Sequence, residues 1–221
     1  MFTALFLSLQ LSIFTTLLLL LFAIPIAYAL SRFHSFWRAP IEALMMLPMV
    51  LPPTVLGFYL LIAFGDQGFL GKAWIAMTGH ALAFTFSGLI VGSCISSLPF
   101  AIQPMILAFC AMGRWSRDVA FTLGMTPARY FFTILLPLAK QGILTASIFT
   151  FFHTLGEFGM VLMIGGNIPG KTQVISTAIY DAVERMNNHQ ANLLSFSLLI
   201  FSFGMLFLLF LINQRHSDPL L

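Results

Sequence analysis

Of the 221 residues, 59% are hydrophobic and only 8% charged, with a net charge of +3 and a mean hydropathy of +0.98. A soluble domain carries about 25% charged residues, so this chain cannot clothe a water-facing surface, and lipid is the solvent that suits it. The positive charge is too small and too scattered for a nucleic-acid footprint. Cys94 and Cys110 sit in apolar runs with neither metal-ligand spacing nor a disulfide framework, and read as small hydrophobes.

A membrane-spanning helix needs about 20 mostly apolar residues. The first such stretch covers residues 5–30. Ala27-Tyr28-Ala29 imitates a signal-peptide cleavage site, but no Lys or Arg precedes the run. The run also exceeds the 7–15 or so residues of a signal core, so it is read as a retained span. The second stretch, 41–64, contains Pro48, Pro52 and Pro53. The third covers 82–100, the fourth 141–164 and the fifth 193–212. The expected architecture is all-α and integral to the membrane: five transmembrane helices in one domain over 1–221. The chain stops at Leu221, so no appended substrate-sensing domain is expected.

Orientation follows from the Lys and Arg residues in the connections. Arg32, Arg38, Arg114, Arg117, Arg129, Lys140 and Arg215 fall on one side. Lys72, Lys171 and Arg185 fall on the other. The richer side is expected to be cytoplasmic, with the N-terminus outside and the C-terminus inside.

The connection between the third and fourth stretches is long and ordered in character. Ser116 is expected to cap a short helix with Asp118 in its first turn, where a negative charge suits the helix dipole. Gly124 is placed to end that helix. Thr126-Pro127 then reads as an N-cap followed by proline at the first helical position, and Leu136-Pro137 as a bend before the fourth span. The prediction is a helix–turn–helix elbow over 114–137.

This elbow resembles the cytoplasmic loop of ABC-importer permease subunits, which has Glu-Ala-Ala, three residues, Gly, and a later Leu-Pro. The matching residues are Asp118-Val119-Ala120, Gly124 and Leu135-Leu136-Pro137. Asp stands for the usual Glu and Val for the first Ala. Leu47-Pro48-Met49-Val50-Leu51-Pro52-Pro53-Thr54-Val55-Leu56-Gly57 is similar to the second span of molybdate-type permeases. So are Leu155-Gly156-Glu157-Phe158-Gly159 and Asn167-Ile168-Pro169-Gly170-Lys171-Thr172. The similarity runs over residues 7–212 and favours an oxyanion, molybdate (or tungstate) first, with the related sulfate/thiosulfate permeases as the alternative. It implies a homodimer, a cytoplasmic ATP-binding subunit seated on each elbow, and an extracytoplasmic substrate-binding protein. It also implies ATP-driven alternating access in an inner membrane. On this reading the chain itself holds no catalytic residue, cofactor or metal.

The coupling residues implied are Asp118, Ala120, Gly124, Thr126, Pro127, Arg129 and Pro137. Arg117 and Arg129 either pair with acidic groups on a partner or serve only as cytoplasmic-side charges. For the pathway, Pro48, Pro52 and Pro53 remove backbone donors from the second span, and Thr54 and Gly57 follow them. The region is a gate or a structural kink. Glu157 lies in the fourth apolar stretch between Gly156 and Gly159, where an ionisable group marks a functional site by default. His153 is four residues earlier, on the same face of a continuous helix. Glu157 either lies at a gate, bonded to a neighbouring helix, or pairs with His153 and fixes packing. No Lys or Arg lies near the centre of a span, which argues against a tight anion site in the membrane.

Residues 165–172 match the phosphate-loop pattern Gly-x4-Gly-Lys-Thr. No strand precedes them and Pro169 interrupts them, so they read as an extracytoplasmic turn. Asn167, Gly170 and Lys171 are then candidates for docking the binding protein. A stand-alone secondary transporter would show internal repeats, and none is evident. An intramembrane enzyme would cluster its catalytic groups, whereas His34, His80, His153, His189 and His216 are dispersed.

Overall fold

The computed structural model describes residues 2–33, 35–113 and 115–214. His34, Arg114, Arg215 and His216 lie outside them, and so does the first residue of the expected elbow. Among the described residues every regular element is helical. They are α1 (Phe2–Arg32), α2 (Arg38–Val50), α3 (Pro53–Phe64), α4 (Phe69–Thr78), α5 (Phe86–Ser96), α6 (Leu98–Ala111) and α7 (Trp115–Thr122). After these come α8 (Pro127–Tyr130), a π-helical turn (Phe131–Leu135), α9 (Leu136–Leu138), α10 (Lys140–Gly156), α11 (Gly159–Gly165), α12 (Ile175–Glu184) and α13 (Asn188–Gln214).

Two helices, α1 and α13, are long and apolar enough to cross a membrane alone, and up to five spans result if each bent pair counts as one. The second apolar stretch is therefore not the single helix expected over 41–64. Between α2 and α3 the chain turns by 109°. The cause is local: a residue before proline is pushed out of the α region, and Leu51 and Pro52 both precede one. Both are extended, at ψ 139° and 135°. Pro48, by contrast, is absorbed inside α2.

The third stretch starts at Phe86 and runs through Ala111, well past residue 100, with a 42° bend between α5 and α6. The fourth differs more. Its helix ends at Gly156, and Glu157 and Phe158 leave helical geometry before α11 begins. At its start, the segment 127–138 meets α10 at 66° around Ala139.

Two apolar clusters form the interior. One joins Leu19, Ala23 and Ala27 of α1 to Ala101, Ile102 and Met105 of α6, Tyr130 and Leu135 of the elbow, and Ala146 of α10. The other joins Leu11 of α1 to Leu56, Leu60 and Phe64 of α3, Leu89 of α5, and Met160, Val161 and Ile164 of α11. On each long path through the protein, hydroxyl residues lie between them. These are Ser12, Thr15 and Thr16 on α1, Ser93, Ser96 and Ser97 between Leu89 and Ala101, and Thr150 and Thr154 between Ala146 and Met160; all are buried. Small residues let the helices close in on each other, as at Gly142, where an added Cβ would lie 2.3 Å from Ala108 Cβ.

The two ends of the molecule hold Arg32 and the loop of Lys171 apart. Tyr28 meets Phe109 and Phe131 edge-on at 5.9 and 5.3 Å, placing the end of α1 beside the end of α6 and the elbow. Arg32 lies over the Tyr28 ring at the same end. At the opposite end Ile175 N–H donates to Ser8 Oγ at 2.7 Å, tying the loop that carries Lys171 to the start of α1.

Candidate functional site

The elbow is built by local rules. Gly124 has φ +78°, a left-handed value that costs glycine nothing. It ends α7 with two bonds, Met125 N–H to Ala120 O and Gly124 N–H to Phe121 O, each 3.0 Å, the pattern of a Schellman cap. Asp118 stands in the first turn of α7. Thr126 Oγ1 accepts from Arg129 N–H at 3.3 Å, with Pro127 opening α8.

The expected cap at Ser116 is not formed. Ser116 lies inside α7, and its hydroxyl bonds Met112 O at 3.1 Å and Tyr130 Oη at 3.1 Å. Its partner is thus a tyrosine 14 residues away. Tyr130 is fully buried and meets Phe121 edge-on, so it nails α7 to α8. Ala120 is buried beneath the turn, whereas Asp118, Gly124, Thr126, Pro127, Arg129 and Pro137 are exposed. Leu123 projects from the tip at 77% exposure, flanked by Val119 and Phe121. Arg117 stays close to home, 3.5 Å from Asp118 Oδ1 and over the Phe121 ring.

The second site forms where three chain breaks meet. Glu157, at the end of α10, accepts a hydrogen bond from Ser96 Oγ of α5 through Oε2 at 2.8 Å. Its backbone carbonyl accepts from Ser176 Oγ of α12 at 2.7 Å. Ser97, between α5 and α6, bonds His153 Nδ1 and Thr154 Oγ1, both at 2.9 Å. Gly159, opening α11, abuts the start of α3: a Cβ there would lie 3.1 Å from Pro53 Cβ and 3.2 Å from Thr54 N.

Glu157 and His153 therefore do not pair. The helix ends between them, so the i, i+4 relation fails, and each takes a different serine.

An open cavity of about 590 Å³ lies at this junction, lined by Pro53, Thr54, Phe152, His153, Gly156, Glu157, Phe158 and Gly159. Five of the sequence-predicted pathway residues are thus brought to one place. Pro52 sits at the adjoining bend and Pro48 lies within α2. Gly57 is buried in the α3–α11 contact. Sequence reasoning missed Ser96 and Ser97. The run Ser93-Cys94-Ile95-Ser96-Ser97-Leu98-Pro99 carries the signal, hydroxyls in an apolar stretch just before a proline.

At the far end, Asn167 is not turned outward. Its Nδ2 donates to Asp181 Oδ1 at 2.9 Å, and Asp181 also accepts from Gln173 at 3.1 Å and Arg185 at 3.3 Å. Gly170 and Lys171 are exposed. The phosphate-loop match is spent internally: the backbone N–H groups of Lys171, Thr172 and Gln173 all converge on Ile168 O at 3.0–3.1 Å. Thr172 Oγ1 donates to Gly165 O at 2.6 Å. Among the described residues no three His, Cys, Asp or Glu side chains are placed to share a metal ion.

The molecule thus presents an elbow whose turn is capped on both sides and a cavity set among broken helices. The family described as "Binding-protein-dependent transport system inner membrane component" matches residues 19–221. The chain belongs to this family. Its relatives include the molybdenum transport system permease protein ModB of Azotobacter vinelandii, 48% identical over 204 residues, covering 92% of this chain and 90% of that one. ModB of Escherichia coli K12 is 35% identical over 181 residues, covering 82% and 79%. Among solved structures, a bacterial alginate ABC transporter in complex with a pentasaccharide-bound periplasmic protein superposes with a TM-score of 0.77. That match covers all of this chain and 80% of the other at 16% identity, a likeness of fold alone. The family member described here is thus an inner-membrane transport component with an all-helical importer fold.

Proposed function

We propose that the chain is the permease subunit of an ABC importer for molybdate (or tungstate), working as a homodimer over one transmembrane domain, 1–221. The observation that carries this is the 48% identity to the Azotobacter permease across 92% of the chain. A cytoplasmic ATP-binding subunit seats on each elbow, an extracytoplasmic binding protein delivers the anion at the Lys171 end, and the N-terminus faces outward. No cofactor is assigned to this chain, and ATP belongs to the partner. The geometry of the elbow and of the cavity supports this reading.

Leu123, Val119 and Phe121 offer an apolar knob on a turn fixed by Gly124 and Thr126. Asp118 and Arg129 are exposed on the same elbow. Force on the knob passes through Tyr130 into the π-helical turn and Pro137, and then, across the bend at Ala139, into α10. The far end of α10 is the Glu157 break. A push at the elbow is thus delivered to the cavity 17 residues along one helix.

Glu157 stabilises the break rather than binding the anion, because its carboxyl is turned to Ser96. The anion would meet hydroxyls, backbone and the N-terminal dipole of α3, which opens at Pro53 on the cavity. A second copy across the exposed Pro52–Val55 face would close the cavity. Gly170 and Lys171 remain as the docking candidates, with Asn167 holding their loop in shape.

The test is reconstitution in vesicles with the ATP-binding and substrate-binding partners, measuring molybdate-stimulated ATP hydrolysis and uptake beside a Gly124→Asp variant. Stimulation lost in the variant supports the reading. Preference for sulfate over molybdate would keep the class and overturn the substrate. Uptake driven by an ion gradient with no associated ATPase would replace the importer by a secondary transporter.

A further inference from the structure

The cavity lining holds two ionisable side chains, and they are arranged in opposite senses. Glu157 is buried, with its carboxyl committed to Ser96 on α5. His153 is only partly buried and lines the opening. Its ring is held twice: Nδ1 lies 2.9 Å from Ser97 Oγ, and the ring stacks on Phe100 at 4.1 Å between centroids, 24° from parallel. Ser97 is itself fully buried and bonded to Thr154, so it cannot turn away.

An imidazole fixed at Nδ1 has one nitrogen left. Ser97 Oγ can accept from Thr154 Oγ1 and donate to Nδ1, and in that arrangement the proton of the neutral ring is on Nε2, the nitrogen left for the cavity. No other lining side chain is both nitrogenous and ionisable. The remaining side-chain donor there is the Thr54 hydroxyl, on the facing helix α3.

We propose that His153 is the side chain that contacts the oxyanion during its passage, donating a hydrogen bond from Nε2, with Ser97 and Phe100 as positioning residues. The inference rests on the importer reading above and deepens it. A weak neutral donor in place of a fixed charge fits a pathway without lysine or arginine. The anion is held long enough to shed part of its hydration, yet not so tightly that it stays. A tetrahedral dianion can accept from His153 on one side and Thr54 on the other, which favours oxyanions over halides of similar size.

The experiment uses the full complex in vesicles, with binding protein loaded with molybdate or with sulfate, and compares His153→Phe with His153→Gln. Phenylalanine keeps a ring that can stack on Phe100, somewhat larger than imidazole, but has no donor. Glutamine keeps a neutral donor at similar reach. Co-purification of the ATP-binding subunit reports assembly. Loss of one hydrogen bond to a charged group predicts about a tenfold or greater fall in the maximal uptake rate for His153→Phe, with His153→Gln within about threefold of wild type.

The concentration of loaded binding protein giving half-maximal uptake should stay unchanged, because docking happens elsewhere. Wild-type uptake from His153→Phe overturns the proposal. So does equal loss in both assembled variants, which would make His153 a packing residue. If the wild-type complex moves neither anion, the importer reading falls and this inference with it. If wild type transports and only the variants are indifferent, the inference alone falls.

Discussion

Gly57→Ala tests whether the α3–α11 contact sets the shape of the cavity. The added methyl carbon would lie 2.9 Å from Met160 Cα and 2.9 Å from Met163 Cβ. The Met163 side chain can change rotamer beyond Cβ, but Met160 Cα is backbone and must move with its helix. Ordinary contact distances require a separation of about half an ångström in a close-packed interior. On its other side α11 is packed on α5, where the tips of Met160 and Ile164 fill the space beside Gly92, at 2.9 Å (Sδ) and 2.7 Å (Cδ1) from where a Cβ would stand. Overpacking of this kind costs about 1–3 kcal/mol, which lowers Tm by about 2–12 °C for a chain of this size. Gly57 is one helical turn from Pro53 and Thr54, so the same displacement should reach the cavity and slow uptake. Gly156→Ala is the control: its new carbon meets nothing within 4 Å and should leave Tm unchanged. The assay is thermal unfolding of the purified protein in nanodiscs, followed by uptake in vesicles. An unchanged Tm for Gly57→Ala would show that the two helices are not in the contact described.

Further outcomes follow from the same geometry. Gly124→Ala places a side chain at φ +78° and should cost about 1–2 kcal/mol locally. ATP hydrolysis in the reconstituted complex should then lose its dependence on loaded binding protein, whereas Gly124→Asn should retain most of it. Thr126→Val removes the cap on α8 at a cost of about 1 kcal/mol, measured as faster proteolysis at Arg129. Glu157→Gln preserves an acceptor for Ser96 and should be at least as stable as wild type in a thermal scan. Glu157→Leu strands buried polar groups and should lose about 1–3 kcal/mol. In a background with Cys94 and Cys110 replaced, a cysteine at Lys171 should react with an impermeant thiol reagent added outside cells, and one at Arg129 only after permeabilisation; the reverse pattern would invert the topology.

The helical character of α1 and α13 and the turn of the elbow were legible in the sequence because the deciding interactions are short in range, although α13 begins at Asn188 rather than at 193. An apolar run, a glycine with positive φ, a threonine before a proline and an aspartate in a first turn each act within four or five residues. The two prolines that break the second stretch belong to the same class, although their effect, a bend of 109° rather than a kink in one span, needed coordinates. Ser116 shows the limit. Its local role as a cap lost to Tyr130, a partner that only folding brings near.

Composition and local pattern, then, determined that this chain lives in lipid and that a capped elbow interrupts its spans. Tertiary structure alone decided that α10 stops at Gly156, that Glu157 and His153 choose different serines, and that Pro53, Thr54 and Gly159 meet around one cavity. In an apolar environment nearly every side chain in a span satisfies the membrane equally well. What singles out a few is which hydroxyl or backbone group lies across from them, and that is a property of helix packing, not of order along the chain.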